Sequence, residues 1–130
     1  MHEPYLFHVC SQSEWTHAPS NQYRQEGPFT HLSRASDLDQ SVRLHLGHRT
    51  QLILICIRTQ DIHTHLKWDP VASRPNPMPH LYGVLPTHAI QWMITLPDLP
   101  DEHGSRCPYL EDLTQPDAPL GSRFSLFESN

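Results

Sequence analysis

Residues 51–58, Gln-Leu-Ile-Leu-Ile-Cys-Ile-Arg, run apolar without a break between polar ends and are rich in β-branched side chains. A strand that is wetted on one face alternates apolar with polar residues, whereas an uninterrupted apolar run of this length belongs to a strand covered on both faces. The segment therefore predicts a central strand. A chain of 130 residues is long enough for one domain with one real core around that strand, and too short for two comfortable ones.

The other predicted elements are shorter. Tyr5–Cys10 reads as an opening strand with Tyr5, Phe7 and Val9 on one face and Leu6, His8 and Cys10 on the other. Ser11 and Glu14 have the spacing of a capping box, so a short helix should run through Trp15 until Pro19 forbids its continuation. Residues 19–28 read as loop. After the Gly27-Pro28 turn, residues 29–33 read as a strand with Phe29, His31 and Ser33 on one face and Thr30 and Leu32 on the other. A second helix is predicted from a cap at Ser36, with Leu38, Val42 and Leu46 at four-residue spacing before Gly47. Leu66–Asp69 is a short extended piece ended by Pro70. Residues 70–80 hold four prolines and predict a loop without repeating structure, and Thr87–Leu96 is the last core strand.

Residues 1–97 thus form the expected domain, and from Pro97 onward the composition changes to prolines and acids. Residues 98–130 read as an extension whose closing Phe124-Ser125-Leu126-Phe127 is apolar enough to dock back.

Charge and cysteine content narrow the function classes. Nine Lys and Arg against 14 Asp and Glu give a formal net charge of -5, so the cationic face that phosphate-backbone binding requires is missing and nucleic acid in bulk is excluded. No stretch approaches the roughly 18 apolar residues of a membrane span, and the N-terminus lacks a basic region followed by an apolar run. A soluble, cytoplasmic protein is expected. Cys10, Cys56 and Cys107 are an odd count without a CxxC pair, which predicts buried free thiols in a reducing compartment.

The candidate chemistry lies in histidines. His31 and Ser33 point the same way beside Phe29, which describes either the wall of a polar pocket or a polar group in the core that needs its own partner. An imidazole with an unperturbed pKa near 6.5 suits proton transfer, and the plainer reading of His31 is a buried ring that anchors a loop. Met78-Pro79-His80-Leu81-Tyr82-Gly83 carries a second candidate pair in His80 and Tyr82. Eleven histidines also raise a metal site: His63 and His65 would face one way on a strand, and His45 and His48 would share a helix face. No carboxylate completes a chelating set at recognisable spacing, so these four read as solvated and no metal is expected. Phosphate-cradling glycine loops and a nucleophile elbow are absent among the five glycines.

Taken in order, Tyr5-Leu6-Phe7-His8-Val9, a helix with Trp15, Glu26-Gly27-Pro28-Phe29-Thr30-His31-Leu32-Ser33, the Ile-rich strand, Lys67-Trp68-Asp69 and Pro79-His80-Leu81-Tyr82-Gly83-Val84-Leu85-Pro86 resemble the family called domain of unknown function 952. That family is similar in fold to ADP-ribosyltransferases, which implies an α+β domain of two small sheets with a cleft between them. By position, His8, His31 with Ser33, and His80 or Tyr82 would line the cleft. Pro28 and Thr30 stand where the family usually has apolar residues, Asp69 stands where it often has glutamate, and no residue matches the catalytic glutamate of the transferases.

The expectation is a small cofactor-independent enzyme that binds an organic or nucleotide-like molecule. His31 and His80 would be its proton-transfer pair, with His8 a third catalytic candidate. Ser33, Tyr82 and Asp69 would contact the ligand, and Phe29 and Trp68 would form apolar walls. Isomerisation, cyclisation, elimination and hydrolysis all fit such a set. NAD or ADP-ribose handling and noncatalytic ligand binding are the alternatives.

Overall fold

The computed structural model describes residues 3–19, 22–72 and 74–107. They form an α+β arrangement of two antiparallel three-stranded sheets, two α-helices and three short 3-10 turns. Strand β1 (Tyr5–Ser11) leads into α1 (Gln12–His17); then come β2 (Thr30–His31), α2 (Ala35–Leu46), β3 (Leu52–Arg58), β4 (Leu66–Asp69), β5 (Met78–Leu81) and β6 (Ile90–Thr95).

The first sheet has the order β1-β3-β6, which places the apolar run at its centre. Every residue from Leu52 to Ile57 has no exposed surface. Their side chains alternate between two cores: Ile53, Ile55 and Ile57 join Leu6, Cys10, Leu32 and Leu81, while Leu52, Leu54 and Cys56 join Phe7, Leu38 and Val42. Helix α2 thus covers one face of the sheet, and residues of the second sheet cover the other. The faces expected for β1 hold, because Leu6 and Cys10 fall in the first cluster and Phe7, Tyr5 and Val9 in the second.

The α1 capping box forms as the sequence requires. The Ser11 hydroxyl accepts from the Glu14 amide at 3.0 Å, and the Ser11 amide donates to Glu14 Oε1 at 2.8 Å. Helix α2 departs from the expected cap: it begins at Ala35 with Arg34 as N-cap, without a side-chain cap bond, and Ser36 lies inside it. Pairing between the sheets explains the shift. Ser33 exchanges two backbone hydrogen bonds with Phe7, at 2.9 and 2.8 Å, so the chain is held extended there and turns helical immediately afterwards. Arg34 bonds Asp37 in the first turn at 2.8 Å, a position where a carboxylate also favours the helix dipole.

The second sheet, β2-β5-β4, corrects the sequence reading most. Residues 78–80 were expected in a loop because of the prolines, yet Met78–Leu81 is the middle strand and all four residues are buried. In an extended strand a residue's N–H and C=O point to the same side. The Pro79 carbonyl accepts from Leu32 at 3.1 Å, so its missing N–H faces the point where β2 has already ended and removes no ladder bond. The strand expected over 29–33 is correspondingly short, because after His31 the chain leaves β5 for β1.

Smaller corrections concern histidines and termini of elements. His63–His65 is a 3-10 turn rather than a strand, and α2 ends at Leu46, so His48 does not share its face with His45. The last strand starts at Ile90 because Thr87–Ala89 forms a 3-10 turn.

Residues 98–107 pack against the end of α2. The Ser105 hydroxyl bonds Asp39 at 2.7 Å, and the buried Arg106 guanidinium donates to the carbonyls of Pro97, at 2.8 Å, and Leu46, at 3.2 Å. Phe124–Phe127 lies outside the described residues.

Candidate functional site

Where β1 and β2 separate beyond the Phe7–Ser33 bridge, α2 closes one side and leaves a cleft of about 390 Å³. His8, His31, Ser33 and His80 all line it, although the three histidines come from three different strands and span 72 residues of sequence (80 minus 8). Their convergence follows from the register. His31 is the cross-strand partner of His80, and the two rings meet edge to face, with centroids 5.1 Å apart and planes at 90°.

His80 is fixed on three sides. Its Nδ1 bonds Asp69 Oδ2 at 2.7 Å, its ring lies on Phe29 at 3.9 Å with planes 15° apart, and only 3 % of the residue is exposed. A carboxylate accepts hydrogen bonds, so Nδ1 carries the proton and Nε2 holds the lone pair in the neutral ring. The Tyr82 hydroxyl donates to the same Asp69 oxygen at 2.6 Å. These two hydrogen bonds, Tyr82 first, hold the Asp69 carboxyl below its usual range, and the bond to Asp69 raises the Tyr82 phenol. Phe29, Asp69 and Tyr82 therefore stand around His80 rather than in the cleft lining. Trp68 is placed elsewhere: it does not line the cleft, and it carries the Arg34 guanidinium over its ring at 4.8 Å.

His31 is exposed, and its pKa is lowered, first by partial burial and then by the nearby charges of His80 and His45. Its amide is held by the Gln25 side chain at 2.8 Å, which fixes the short strand at that point.

His8 differs from both. It is buried, and both ring nitrogens have protein partners: the His31 carbonyl at 2.6 Å and the Tyr23 hydroxyl at 2.7 Å. A carbonyl only accepts, so Nδ1 donates to it and Nε2 accepts from Tyr23. Burial pushes the His8 pKa down to about 4. The ring is thus neutral near pH 7, and it fixes the main chain of His31 from beneath. Burial raises both Tyr23 and the Cys10 thiol, Cys10 to about 12. Burial likewise raises Cys56 and Cys107 to about 12, so none of the three thiols is a ready thiolate at neutral pH.

Sequence reasoning missed Tyr23, Ser41, His45 and Arg74 as parts of the cleft. Tyr23 lies in a stretch read only as loop, and a large aromatic among polar neighbours was the available signal. Ser41 and His45 sit on α2, one turn apart, on the side facing β1. Arg74 belongs to the proline-rich segment, whose path over the cleft no local pattern specifies. Among the described residues, no group of three or more His, Cys, Asp or Glu is arranged to hold a metal ion. No described helix is long and apolar enough to cross a membrane.

Two small antiparallel sheets, one central apolar strand and a histidine-lined cleft define a small α+β fold with known relatives in structure. The crystal structure of protein CC0527 from Caulobacter crescentus matches with a TM-score of 0.69 over 84% of this chain and 96% of that one, at 21% identity. The solution NMR structure of CC0527 matches with a TM-score of 0.65 over 95% and 98%, at 20% identity. A family model described as "Protein of unknown function (DUF952)" matches residues 9–93, and the chain belongs to that family. No curated protein matches the chain.

Proposed function

We propose that the protein is a small enzyme that transfers protons to and from an organic or nucleotide-like molecule bound in the cleft, with His80 and His31 as the pair. The observation that carries this reading is the Asp69–His80 hydrogen bond of 2.7 Å, with His80 stacked on Phe29 and meeting His31 across the strands. A carboxylate on Nδ1 fixes the tautomer and stabilises the imidazolium that forms when Nε2 takes a proton. Tyr82 keeps that carboxylate in place, and His31, the more exposed ring, returns the proton at a second position. Proton transfer between two imidazoles requires no cofactor, and isomerisation, cyclisation, elimination and hydrolysis all fit the pair.

His8, expected as a third catalytic group, acts here as a positioning residue, because both its nitrogens are occupied. NAD or ADP-ribose handling is the alternative that the family resemblance implies. No feature of the cleft favours it: the one carboxylate in the lining among the described residues, Glu14, is committed to the α1 cap and to Arg49 at 3.4 Å. Release of nicotinamide from NAD is the assay for that alternative.

The central test incubates the purified protein with a cell metabolite extract and follows each component by liquid chromatography and mass spectrometry. At least one component should be converted by the wild type and converted about 10²–10⁴ times more slowly by His80→Ala and by His31→Ala. A component turned over equally by all three proteins refutes the assignment. Binding without any conversion supports the noncatalytic reading instead.

A further inference from the structure

The cleft carries an uncompensated cation although the chain as a whole is acidic. Among the described residues its lining holds Arg49 and Arg74 against a single carboxylate, Glu14, which is already paired with Arg49. Four of the other arginines have carboxylate partners: Arg34, Arg43, Arg49 and Arg58. Arg74 has none among the described residues, and its guanidinium instead donates to neutral oxygens, Ser41 Oγ at 2.8 Å and Gln40 Oε1 at 3.5 Å. Ser41 Oγ also accepts from the Ser33 hydroxyl at 3.2 Å, so two donors already point at it and its own proton is left to give.

Arg74 and Ser41 together thus present donors and no free acceptor to the cleft. A guanidinium carries five N–H groups in a fixed fork that matches the oxygens of a carboxylate or phosphate, and such charge-assisted bonds are stronger than neutral ones. Beside this charged end, the partly exposed Val9, Leu46 and Val71 supply an apolar surface. The volume falls at the low end of small-ligand pockets, about 300–1,000 Å³.

We propose that the cleft takes an organic oxyanion, whose charged group seats on Arg74 and Ser41 while its apolar body lies along Val9, Leu46 and Val71. The inference takes from the proposed function only that this cleft holds the ligand. A carboxylate and a phosphate ester share the required chemistry, and the choice of probe separates them.

The test titrates the full chain at low salt with benzoate, phenyl phosphate and the uncharged isostere benzamide, by calorimetry. One of the two anions should bind saturably and at least about tenfold more tightly than benzamide, and added salt should weaken it. Arg74→Gln should lose at least about tenfold in affinity for that anion with an unchanged melting temperature. If that variant melts early, Arg74→Lys serves in its place, keeping the charge and losing the fork, with an intermediate affinity expected. Equal binding of benzamide and the anions, wild-type affinity in the arginine variants, or no saturable binding of any probe overturns the proposal. Saturable anion binding that Arg74→Gln weakens, with no conversion of any metabolite by the wild type, leaves the anion site standing while the acid–base reading fails.

Discussion

Mild acid should destabilise this protein through one buried ring. His8 has a folded pKa of about 4 against 6.5 for a free imidazole, because burial disfavours the cation. The unfolded chain therefore binds the proton more readily than the folded one. The resulting stability is whole above pH 6.5, is lost progressively as pH falls from 6.5 toward 4, and is gone below that window. Integrating the two titration curves gives a loss of about 2 kcal/mol at about pH 5 and about 3 kcal/mol at about pH 4. Against a total stability of about 5–15 kcal/mol for a domain, this is a large fraction. His31 shifts in the same direction, and the carboxyls of Glu14, Asp69 and Asp101, all lowered, add losses at still lower pH. The wild type alone therefore does not isolate His8, and the comparison needed is with His8→Asn. Its amide can still donate to the His31 carbonyl, and it does not titrate. Urea unfolding of both proteins across the window gives two stability curves, and their difference should shrink by about 2 kcal/mol between about pH 7 and about pH 5. Parallel curves refute the reasoning, since they would mean that His8 is already protonated in the folded protein or is hydrated there.

Neighbouring residues on opposite faces of the 30–33 segment should respond differently. Leu32, 2 % exposed in the core between the sheets, should lose about 2–5 kcal/mol as Leu32→Ala in urea unfolding. The exposed His31, as His31→Ala, should keep most of its stability, and equal losses in the two variants would make His31 a structural residue. Ser11→Ala should cost about 1 kcal/mol by removing the α1 cap, and an unchanged urea midpoint would show that the hydroxyl bond to Glu14 contributes nothing.

The parts of the fold that local chemistry decides were legible in the sequence. The apolar run of β3, the Ser11–Glu14 capping box and the Leu38–Val42 spacing of α2 each specify their element without outside help. What misled the reading was tertiary pairing. Four prolines in 70–80 argue for a loop, and Met78–Leu81 is a strand only because β2 stops at His31 and leaves the Pro79 position without a required donor. The same pairing decides the site. His31 and His80 were legible as candidates, but their contact depends on a register that the sequence does not state, and so does the separation of Trp68 from the cleft. Tyr23 and Arg74 come from irregular segments, where no periodicity tells which side chain turns inward.

Three histidines meet at this cleft, and their partners rather than their residue type divide the work. A carbonyl and a hydroxyl around His8 offer no negative charge, so burial wins and the ring stays neutral, useful for holding the His31 main chain at 2.6 Å. At His80 a carboxylate replaces the carbonyl, and the bond at Nδ1 fixes the ring's orientation and leaves Nε2 without the hydroxyl partner that His8 has. His31 lies between them, its backbone held by one histidine and its ring crossed with the other. Displacing the His8 ring should therefore move His31 relative to His80 before it unfolds anything. If so, His8→Ala and His31→Ala should slow the same proton transfer by different routes: His8→Ala by loosening the pair, and His31→Ala by deleting a member. Restoring a donor toward the His31 carbonyl, as in His8→Asn, should rescue only the first.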